Sequence, residues 1–250
     1  MKYFLIIAAL LFIWAYFIEP NLLVIKKYQN DKLGDCKIIF ASDFHIAKSD
    51  KKRLQKIVNT INELEPDLVL LGGDYIKGHD GKDSMPIEEQ VEFFKQIEAP
   101  KISVLGNHDG WFDKKLVRET LKTSGITVLE NENVKFGNIY IAGVEDIQTG
   151  KPDTKKALQG TGNPRILLSH SPDIYYEVNE KVDLILTGHV HGGQVRIPFL
   201  GAITVPSKYG TKFSQGLINE TQNKMLITKG LGTSILSIRF CAIPEIIVIN

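Results

Sequence analysis

Histidines at the ends of apolar segments are the residues of this sequence with the clearest capacity for chemistry. Five of the six histidines follow apolar, β-branched runs and stand beside a carboxylate, an amide or a glycine: His45, His108, His170, His189 and His191. Imidazole and oxygen donors without a neighbouring thiolate suit zinc, manganese or iron rather than a soft metal or an iron–sulfur cluster. This distribution predicts a metal site and therefore a hydrolytic enzyme.

The candidate ligands are too many for one ion. Seven oxygen or nitrogen donors stand at the ends of these runs: Asp43, His45, Asp74, Asn107, His170, His189 and His191. A tetrahedral site needs four ligands, whereas seven suffice for two ions that share a bridging group. Two ions about 3.5–4 Å apart can hold both the attacking and the leaving oxygen of a phosphoryl displacement. The bridge is expected to be a carboxylate, and Asp74 is the predicted bridging residue.

The elements that position these residues repeat along the chain. Apolar runs at residues 36–42, 68–71, 102–105, 165–169 and 183–187 each end in one of the polar groups. Between the first two runs lies a helical stripe made of Leu54, Ile57, Val58, Ile61 and Leu64. Strands that alternate with helices predict βαβ units and a largely parallel sheet. The ligand crevice of such sheets lies beyond the carboxyl ends of the strands, so the five endings are expected to meet there.

The order of these motifs resembles the calcineurin-like metallophosphoesterases. The matching motifs are Asp43-Phe44-His45, Gly73-Asp74, Gly106-Asn107-His108-Asp109, His170 and Gly188-His189-Val190-His191. Residues 168–173, 192–194, 229–234 and 238–240 resemble the membrane-associated bacterial branch of phosphodiesterases, which includes enzymes that cleave the pyrophosphate of UDP-2,3-diacylglucosamine. The resemblance implies a mixed α/β (α+β) fold in which two mixed β-sheets pack face to face with flanking helices.

The resemblance also implies a role for each residue of the site. One divalent ion would bind Asp43, His45, Asp74 and His191, and the other would bind Asp74, Asn107, His170 and His189. His108 would donate a hydrogen bond or a proton to the leaving oxygen, with Asp109 orienting and charging its ring. A hydroxide between the ions would be the nucleophile. Manganese is the favoured metal, and iron or zinc are alternatives because these ligands accept all three.

Polar side chains outside the motifs are candidates for substrate binding. Those that could contact a phosphate or a head group are Gln194, Lys208, Arg239, Tyr209 and Lys212. Ordinary surface or core roles fit these residues as well. His79 is interpreted as solvated surface.

Two substrate classes find little support in the sequence. In protein serine/threonine phosphatases an Asp-Arg-Gly element follows the Asp74 position, whereas here Asp74 precedes Tyr75-Ile76-Lys77-Gly78. The arginine that would grip phosphate is therefore missing. The 30 Lys and Arg residues face 29 Asp and Glu residues, for a net charge of +1, so nonspecific nucleic-acid binding has no compositional basis.

The amino-terminal segment predicts a membrane helix. Residues 3–18 carry no charge, Glu19-Pro20 interrupts them, and apolar residues resume until Lys26. A bilayer core needs about 20 apolar residues, so residues 3–25 can span it if Glu19 lies near an interface. We expect an uncleaved anchor at residues 1–26 and a single catalytic domain at residues 36–250, on the cytoplasmic side by the count of flanking lysines. A cleaved signal peptide is the alternative.

Two other features leave their roles more open. Cys36 and Cys241 lie in apolar runs and are expected to be buried free thiols. Residues 197–203 read either as a strand and hairpin of the second sheet or as an apolar lip that touches lipid.

These features predict a membrane-anchored, dinuclear-metal hydrolase of phosphodiester or pyrophosphate bonds. The leading substrate is lipid-linked or nucleotide-linked, such as UDP-diacylglucosamine, because an anchor would place the site at a bilayer surface. A broad-specificity phosphodiesterase that acts on soluble or envelope substrates is one alternative. A non-catalytic scaffold on the same fold is the other, and the intact ligand set argues against it.

Overall fold

Strands and helices alternate along residues 2–250, which the computed structural model describes. The strands are β1 Val24–Tyr28, β2 Ile38–Ala41, β3 Leu68–Leu71, β4 Lys101–Ser103, β5 Ile126–Val128, β6 Glu132–Phe136, β7 Ile139–Gly143, β8 Arg165–Leu168, β9 Leu184–Thr187, β10 Arg196–Ile197, β11 Gly201–Ala202, β12 Gly216–Ile218, β13 Met225–Ile227 and β14 Glu245–Ile249. The α-helices are α1 Lys2–Ile13, α2 Lys51–Glu63, α3 Ile87–Phe94, α4 Asn107–Thr123 and α5 Thr154–Ala157. Helix α1 continues as the π-helical segment Trp14–Ile18 and the 3-10 segment Glu19–Asn21.

Within these residues the strands form two six-stranded sheets and one short hairpin. The first sheet has the order β1-β14-β2-β3-β4-β5, and its strands from β2 to β5 run parallel. The second has the order β12-β13-β9-β8-β7-β6, in which β13, β9, β8 and β7 run parallel between two antiparallel edge strands. The predicted fold of two mixed sheets with helices around them is confirmed.

The side chains of β2 show why the sheets stack. Ile38 and Phe40 are buried between the two sheets with Leu168 and Leu186 of the second sheet. Ile39 faces the opposite side and packs in the core beneath α2. A parallel strand covered on both faces must be apolar at every position, which explains the uninterrupted run. Burial of each side chain of this size contributes about 1.5–3 kcal/mol to the free energy of unfolding. The strand therefore fixes the start of the loop that follows it.

Helix α2 covers the outer face of the first sheet. Its buried residues follow the predicted stripe and are Leu54, Ile57, Val58 and Ile61. Arg53, in the first turn of α2, donates to the carbonyl oxygens of Phe44 at 2.9 Å and Leu231 at 3.1 Å. The helix therefore also fixes the loop that follows β2.

Helix α1 projects away from the sheets. Every side chain of α1 is exposed, and the helical stretch Lys2–Asn21, with a mean hydropathy of 1.9, is long and apolar enough to cross a membrane. The chain returns to the domain at Glu19, which is 2% exposed. The Glu19 carboxylate accepts from Trp14 Nε1 at 2.7 Å and from the Ala242 amide at 2.5 Å.

Residues 24–28 belong to the first sheet rather than to an anchor. Strand β1 pairs in parallel with β14 from Val24 opposite Glu245 to Tyr28 opposite Ile249, and Leu33 is buried between the sheets. The predicted boundaries at residues 26 and 36 therefore need correction, because the globular part of the chain begins before β1. An apolar run such as Leu-Leu-Val-Ile fits the end of a helix and an edge strand equally well.

The cysteines also differ from the prediction. Both are free, but Cys36 is only half-buried and Cys241 is exposed. Cys241 lies in a loop with a φ of 55° rather than in a strand. Its apolar neighbours in the sequence therefore led to a wrong prediction of burial.

We expect a chain that begins at Trp14 to melt at a higher temperature than one that begins at Cys36. The shorter chain loses β1 and Leu33 and leaves one edge of β14 unpaired. The loss of buried apolar contact is about 2–4 kcal/mol, or roughly 4–16 °C in melting temperature. Circular dichroism during heating measures the difference, and equal melting temperatures would show that β1 is not part of the folded domain.

Candidate metal centre

The candidate ligands lie at the carboxyl ends of parallel strands in both sheets. Strands β2, β3 and β4 of the first sheet and β8 and β9 of the second end on the same side of the molecule. The loops that follow them carry Asp43, His45, Asp74, Asn107, His170, His189 and His191. All seven side chains are buried. The structure therefore brings together residues that are far apart in the sequence.

One group of donor atoms lies between the loops after β2, β3 and β9. Asp43, His45, Asp74 and His191 each offer an atom within 4.8 Å of the others. His45 Nε2 lies 3.2 Å from His191 Nε2 and 3.3 Å from Asp74 Oδ2. His191 Nε2 lies 3.7 Å from Asp43 Oδ1. These four side chains could hold one cation.

A second group shares Asp74 with the first. Asp74, His170 and His189 offer donor atoms within 4.8 Å of one another. His170 Nε2 lies 3.2 Å from Asp74 Oδ2 and 2.9 Å from Asn107 Oδ1. Asp74 Oδ2 is thus close to one histidine of each group, which is where a bridging carboxylate would have to stand.

Backbone carbonyls fix the orientation of three of the rings. His45 Nδ1 donates to the Ile76 carbonyl at 2.9 Å, and His170 Nδ1 donates to the Gly72 carbonyl at 2.8 Å. Their Nε2 lone pairs therefore face the site. His189 has the opposite arrangement, because its Nε2 lies 3.1 Å from the Pro206 carbonyl and leaves Nδ1 for a cation. Such outer contacts set the tautomer of metal-binding histidines.

The charges of the site fit divalent cations. Asp43 Oδ2 is buried and accepts no hydrogen bond from any group of residues 2–250, and burial raises the pKa of Asp43. Burial also opposes ionisation of Asp74, but His170 and His45 outweigh it and hold the pKa of Asp74 well below its ordinary value. A buried carboxylate oxygen without a partner is costly unless a cation satisfies it. The donor set of oxygen and imidazole therefore suits a dinuclear centre.

Backbone strain is concentrated in the same residues. Five of the seven have φ in the left-handed region, namely Asp43 at 56°, His45 at 39°, Asp74 at 57°, His189 at 69° and His191 at 51°. Residues other than glycine pay about 1–3 kcal/mol for such conformations, which persist where the surrounding structure imposes them. Such conformations in five of seven neighbouring ligands show that the surrounding loops impose their positions.

His108 borders the first group without joining it. Its ring centroid lies 4.6 Å from that of His45, and its Nδ1 donates to the Gly78 carbonyl at 2.9 Å. Nε2 is therefore the nitrogen that faces the site, 3.4 Å from Ser234 Oγ. Burial lowers the pKa of His108 to about 4, which favours the neutral form of the ring before a substrate binds.

Asp109 does not have the contact that was predicted for it. Its Oδ1 accepts from the amides of Tyr75 at 2.8 Å and Ile76 at 3.2 Å, and its Oδ2 accepts from those of Asp74 at 2.8 Å and Gly106 at 2.9 Å. Both oxygens are thus used on the loops after β3 and β4. The Gly78 carbonyl, rather than Asp109, orients the ring of His108.

The structure corrects the predicted substrate contact of Arg239 and shows further bonds for Gln194. Arg239 is fully buried and donates to the carbonyl oxygens of Gly232, Ala242 and Lys229. Gln194 accepts from the Ser234 amide at 3.0 Å and donates to the Leu236 carbonyl at 2.6 Å. Both side chains hold loops. Arg239 is enclosed and has no donor directed to a substrate, whereas a substrate contact by the half-buried Gln194 stays a prediction. The tight turns around them need these partners, which the sequence does not reveal.

The other candidate contacts lie on the surface. Lys208 forms an exposed ion pair with Glu177 at 3.0 Å, and Lys212 pairs with Glu220. Tyr209 is half-buried and packs against Tyr176. A phosphate contact by these residues stays a prediction, and it would require the two lysines to leave their carboxylates.

Sequence reasoning missed three residues beside the site. Gln148 Nε2 lies 3.0 Å from His189 Nε2, in a loop after β7 whose parallel strand was not recognised. His79 is exposed as expected, but its ring lies 5.0 Å from that of His108 and 4.3 Å from that of Trp111. Trp111 lies in α4 and His79 in a loop, and neither position in the sequence gave a signal of this proximity.

Comparisons with known proteins agree with this geometry. Residues 36–193 match the calcineurin-like phosphoesterase family model, and this chain belongs to that family. It is 32% identical over 225 residues to the uncharacterised metallophosphoesterase YkuE of Bacillus subtilis, covering 85% of this chain and 77% of the relative. It is 30% identical to the phosphodiesterase YaeI of Escherichia coli, covering 86% and 82%. The chain is an enzyme of the metallophosphoesterase class.

A solved structure supports the fold independently. The NAD nucleotidase of Haemophilus influenzae superposes with a TM-score of 0.51 at 17% identity, over 78% of this chain and 45% of that one. Identity this low supports the shared fold alone.

We expect Gly188→Ala to weaken metal binding by about 10–100-fold, the range for residues that support ligands. A Cβ at this position would lie 2.3 Å from Asp43 Oδ2 and 2.3 Å from Ser42 Oγ, so the Asp43 carboxylate and its neighbour would have to move. Gly162→Ala is the control, because its Cβ would meet the Tyr140 ring at 3.1 Å, outside this site. Titration of each purified variant with Mn²⁺ measures the affinity, and equal affinities would show that Asp43 is not held against Gly188.

Proposed function

We propose that this protein hydrolyses a phosphodiester or pyrophosphate bond with two divalent metal ions. The observation that carries the proposal is the pair of donor groups that share Asp74 and lie beside His108. Asp43, His45, Asp74 and His191 would hold one ion, and Asp74, Asn107, His170 and His189 would hold the other. Manganese is the favoured metal, with iron or zinc as alternatives, because oxygen and imidazole ligands accept all three.

The chain itself supplies orientation and a hydrogen-bonding group at the leaving oxygen. When bound, the two ions would neutralise charge on the phosphoryl oxygens and lower the pKa of a bound water. His108 presents Nε2 to the same space because Nδ1 is held by the Gly78 carbonyl. The anionic charge of a bound phosphodiester favours the protonated ring, which can then donate to the leaving oxygen.

The proposed substrate is a lipid-linked or nucleotide-linked phosphodiester at a membrane, such as UDP-diacylglucosamine. Its support is the exposed helix α1, which is apolar enough to span a bilayer and which joins the domain beside the loops of the site. An enzyme held at the bilayer meets an embedded substrate at a high effective concentration without any added contact. A soluble phosphodiester is the competing substrate.

We expect the full chain in detergent to hydrolyse a bis-aryl phosphodiester with Mn²⁺ and to lose this activity in chelator. Asp74→Asn should lower both metal content and rate, because Asp74 would supply charge to both ions. His108→Ala should keep its metal and lower the rate by about 10²–10⁴-fold, the range for one general acid. Elemental analysis and initial rates are measured on the same samples, with His79→Ala as the histidine control for metal content.

The outcomes separate the two roles. Chelator-resistant turnover would overturn the metal-dependent mechanism. Equal metal loss in Asp74→Asn and His108→Ala would place His108 among the ligands instead.

We expect removal of residues 2–13 to lower turnover of a bilayer-embedded phosphodiester by about 10-fold or more, through the loss of effective concentration. Turnover of a small soluble diester and the metal content should stay unchanged, because Trp14, Glu19 and β1 remain in place. Fusion of an unrelated apolar membrane helix to Trp14 should restore the reaction on the embedded substrate. Equal losses on the two substrates would favour the broad-specificity soluble phosphodiesterase.

A further inference from the structure

Two loops next to helix α1 expose large apolar side chains. The hairpin of β10 and β11 presents a fully exposed Phe199 and a Leu200 that is 81% exposed, and Ile203, which follows β11, is 61% exposed. The loop before Arg239 presents Ile235 with 90% and Leu236 with 58%. We call these five residues the apolar rim. Monomeric soluble proteins rarely gather such side chains on one surface without a partner.

The tip of the hairpin carries Phe199 in a left-handed backbone conformation that bulky residues rarely adopt. The Leu200 amide donates to the Ile197 carbonyl at 3.1 Å, which closes a turn over Pro198 and Phe199. Phe199 has a φ of 69°, the conformation that favours glycine or asparagine at this turn position. A bulky residue in the left-handed region costs about 1–2 kcal/mol. An exposed phenylalanine in such a strained conformation indicates that its ring contacts something other than this chain.

Hydrogen bonds tie the apolar rim to the end of the helix. The Arg239 amide donates to the Ala15 carbonyl at 2.9 Å. The neighbouring Phe240 accepts from the Arg196 amide at 2.8 Å, at the root of the hairpin. Gln194, close to the hairpin, adds two bonds to the loop before Arg239: it accepts from the Ser234 amide and donates to the Leu236 carbonyl. The end of the helix, the hairpin and the loop before Arg239 are therefore held together as one structural unit, which we call the block.

The length of the free helix shows how deep this block would lie in a bilayer. From Lys2 to Ala15 the chain rises about 21 Å at 1.5 Å per residue. The hydrocarbon core is about 30 Å thick, so the segment Lys2–Ala15 taken alone is about 9 Å shorter than the core. Apolar faces of peripheral proteins enter the headgroup and acyl boundary by about 5–10 Å. The loop that carries Ile235 and Leu236 is hydrogen-bonded to this end of the helix through the Arg239 amide.

We propose that the apolar rim inserts into the membrane interface beside α1, with the lipid bilayer as its partner. The inference rests on the proposed membrane anchor. Residues 197–203 and 234–237 contain no charged side chain, and Trp14 and Tyr16 at the helix end suit the interfacial layer. Insertion orients the site, because Ser234 Oγ lies 3.4 Å from His108 Nε2 and precedes Ile235. Insertion would therefore bring the loop that contacts His108 to the headgroup layer, where a lipid-linked phosphate lies.

Site-specific photocrosslinking tests this insertion in the full chain. The amino acid p-benzoylphenylalanine replaces Phe199, Ile235, Leu10 or Leu217, one at a time, and each protein is reconstituted in vesicles of phosphatidylethanolamine and phosphatidylglycerol. Leu10 reports on the helix, and Leu217, 47% exposed on β12, is the matched control for an exposed apolar side chain. Mass spectrometry after irradiation identifies lipid and protein adducts.

We expect lipid adducts at positions 199, 235 and 10, with a yield about 10-fold above that at position 217, because the apolar rim lies among acyl chains. Lipid adducts at Leu10 without adducts at Phe199 and Ile235 would overturn the inference and leave the anchor intact. Crosslinked dimers through Phe199 would assign the apolar rim to a second copy of the chain. No lipid adduct at Leu10 would overturn the anchor and this inference together. The readout does not depend on catalysis, so the proposed hydrolysis is tested separately.

Discussion

The buried carboxylate of Asp74 is the contact on which the rest of the site depends. Oδ2 lies 3.3 Å from His45 Nε2 and 3.2 Å from His170 Nε2, and Oδ1 accepts from the His108 amide at 2.9 Å. One side chain thus joins the loops after β2, β3, β4 and β8, and so joins the two sheets. Its negative charge is almost completely removed from water, which is tolerable only with positive charge beside it. The site is therefore built for cations before any substrate arrives.

Two charged side chains near the site form hydrogen bonds with backbone groups of the strained loops and so stabilise them. Loops with left-handed residues leave amide and carbonyl groups without the partners that strands or helices would give them. Asp109 accepts from four of these amides, and the guanidinium of Arg239 donates to carbonyls of three residues. Charged residues near a catalytic centre are often interpreted from the sequence as reactive groups. Here two of them hold the loops in which the ligands stand.

This division explains what could be predicted from the sequence. The ligands follow apolar runs directly, so strand ends and residue types were enough to find Asp43, Asp74 and the histidines as candidates. The partners of Asp109, Gln194 and Arg239 are backbone groups in distant loops, and no residue pattern encodes them. Strand β1 was missed for a related reason. Its partner β14 lies at the other end of the chain, and only that pairing distinguishes an edge strand from the end of an apolar helix.

The loop from β13 to β14 connects the two halves of the proposed function. At its beginning Gly230 packs so closely on Asp43 that a Cβ would lie 2.6 Å from the Asp43 Cβ. Further along, Arg239 bonds the carbonyl of Ala15, and Ala242 bonds Glu19. Arg239 also returns to the Lys229 carbonyl at 2.9 Å, which closes the loop on itself. The segment that holds the end of the apolar helix therefore also packs against Asp43, so one loop links the helix to the metal ligands.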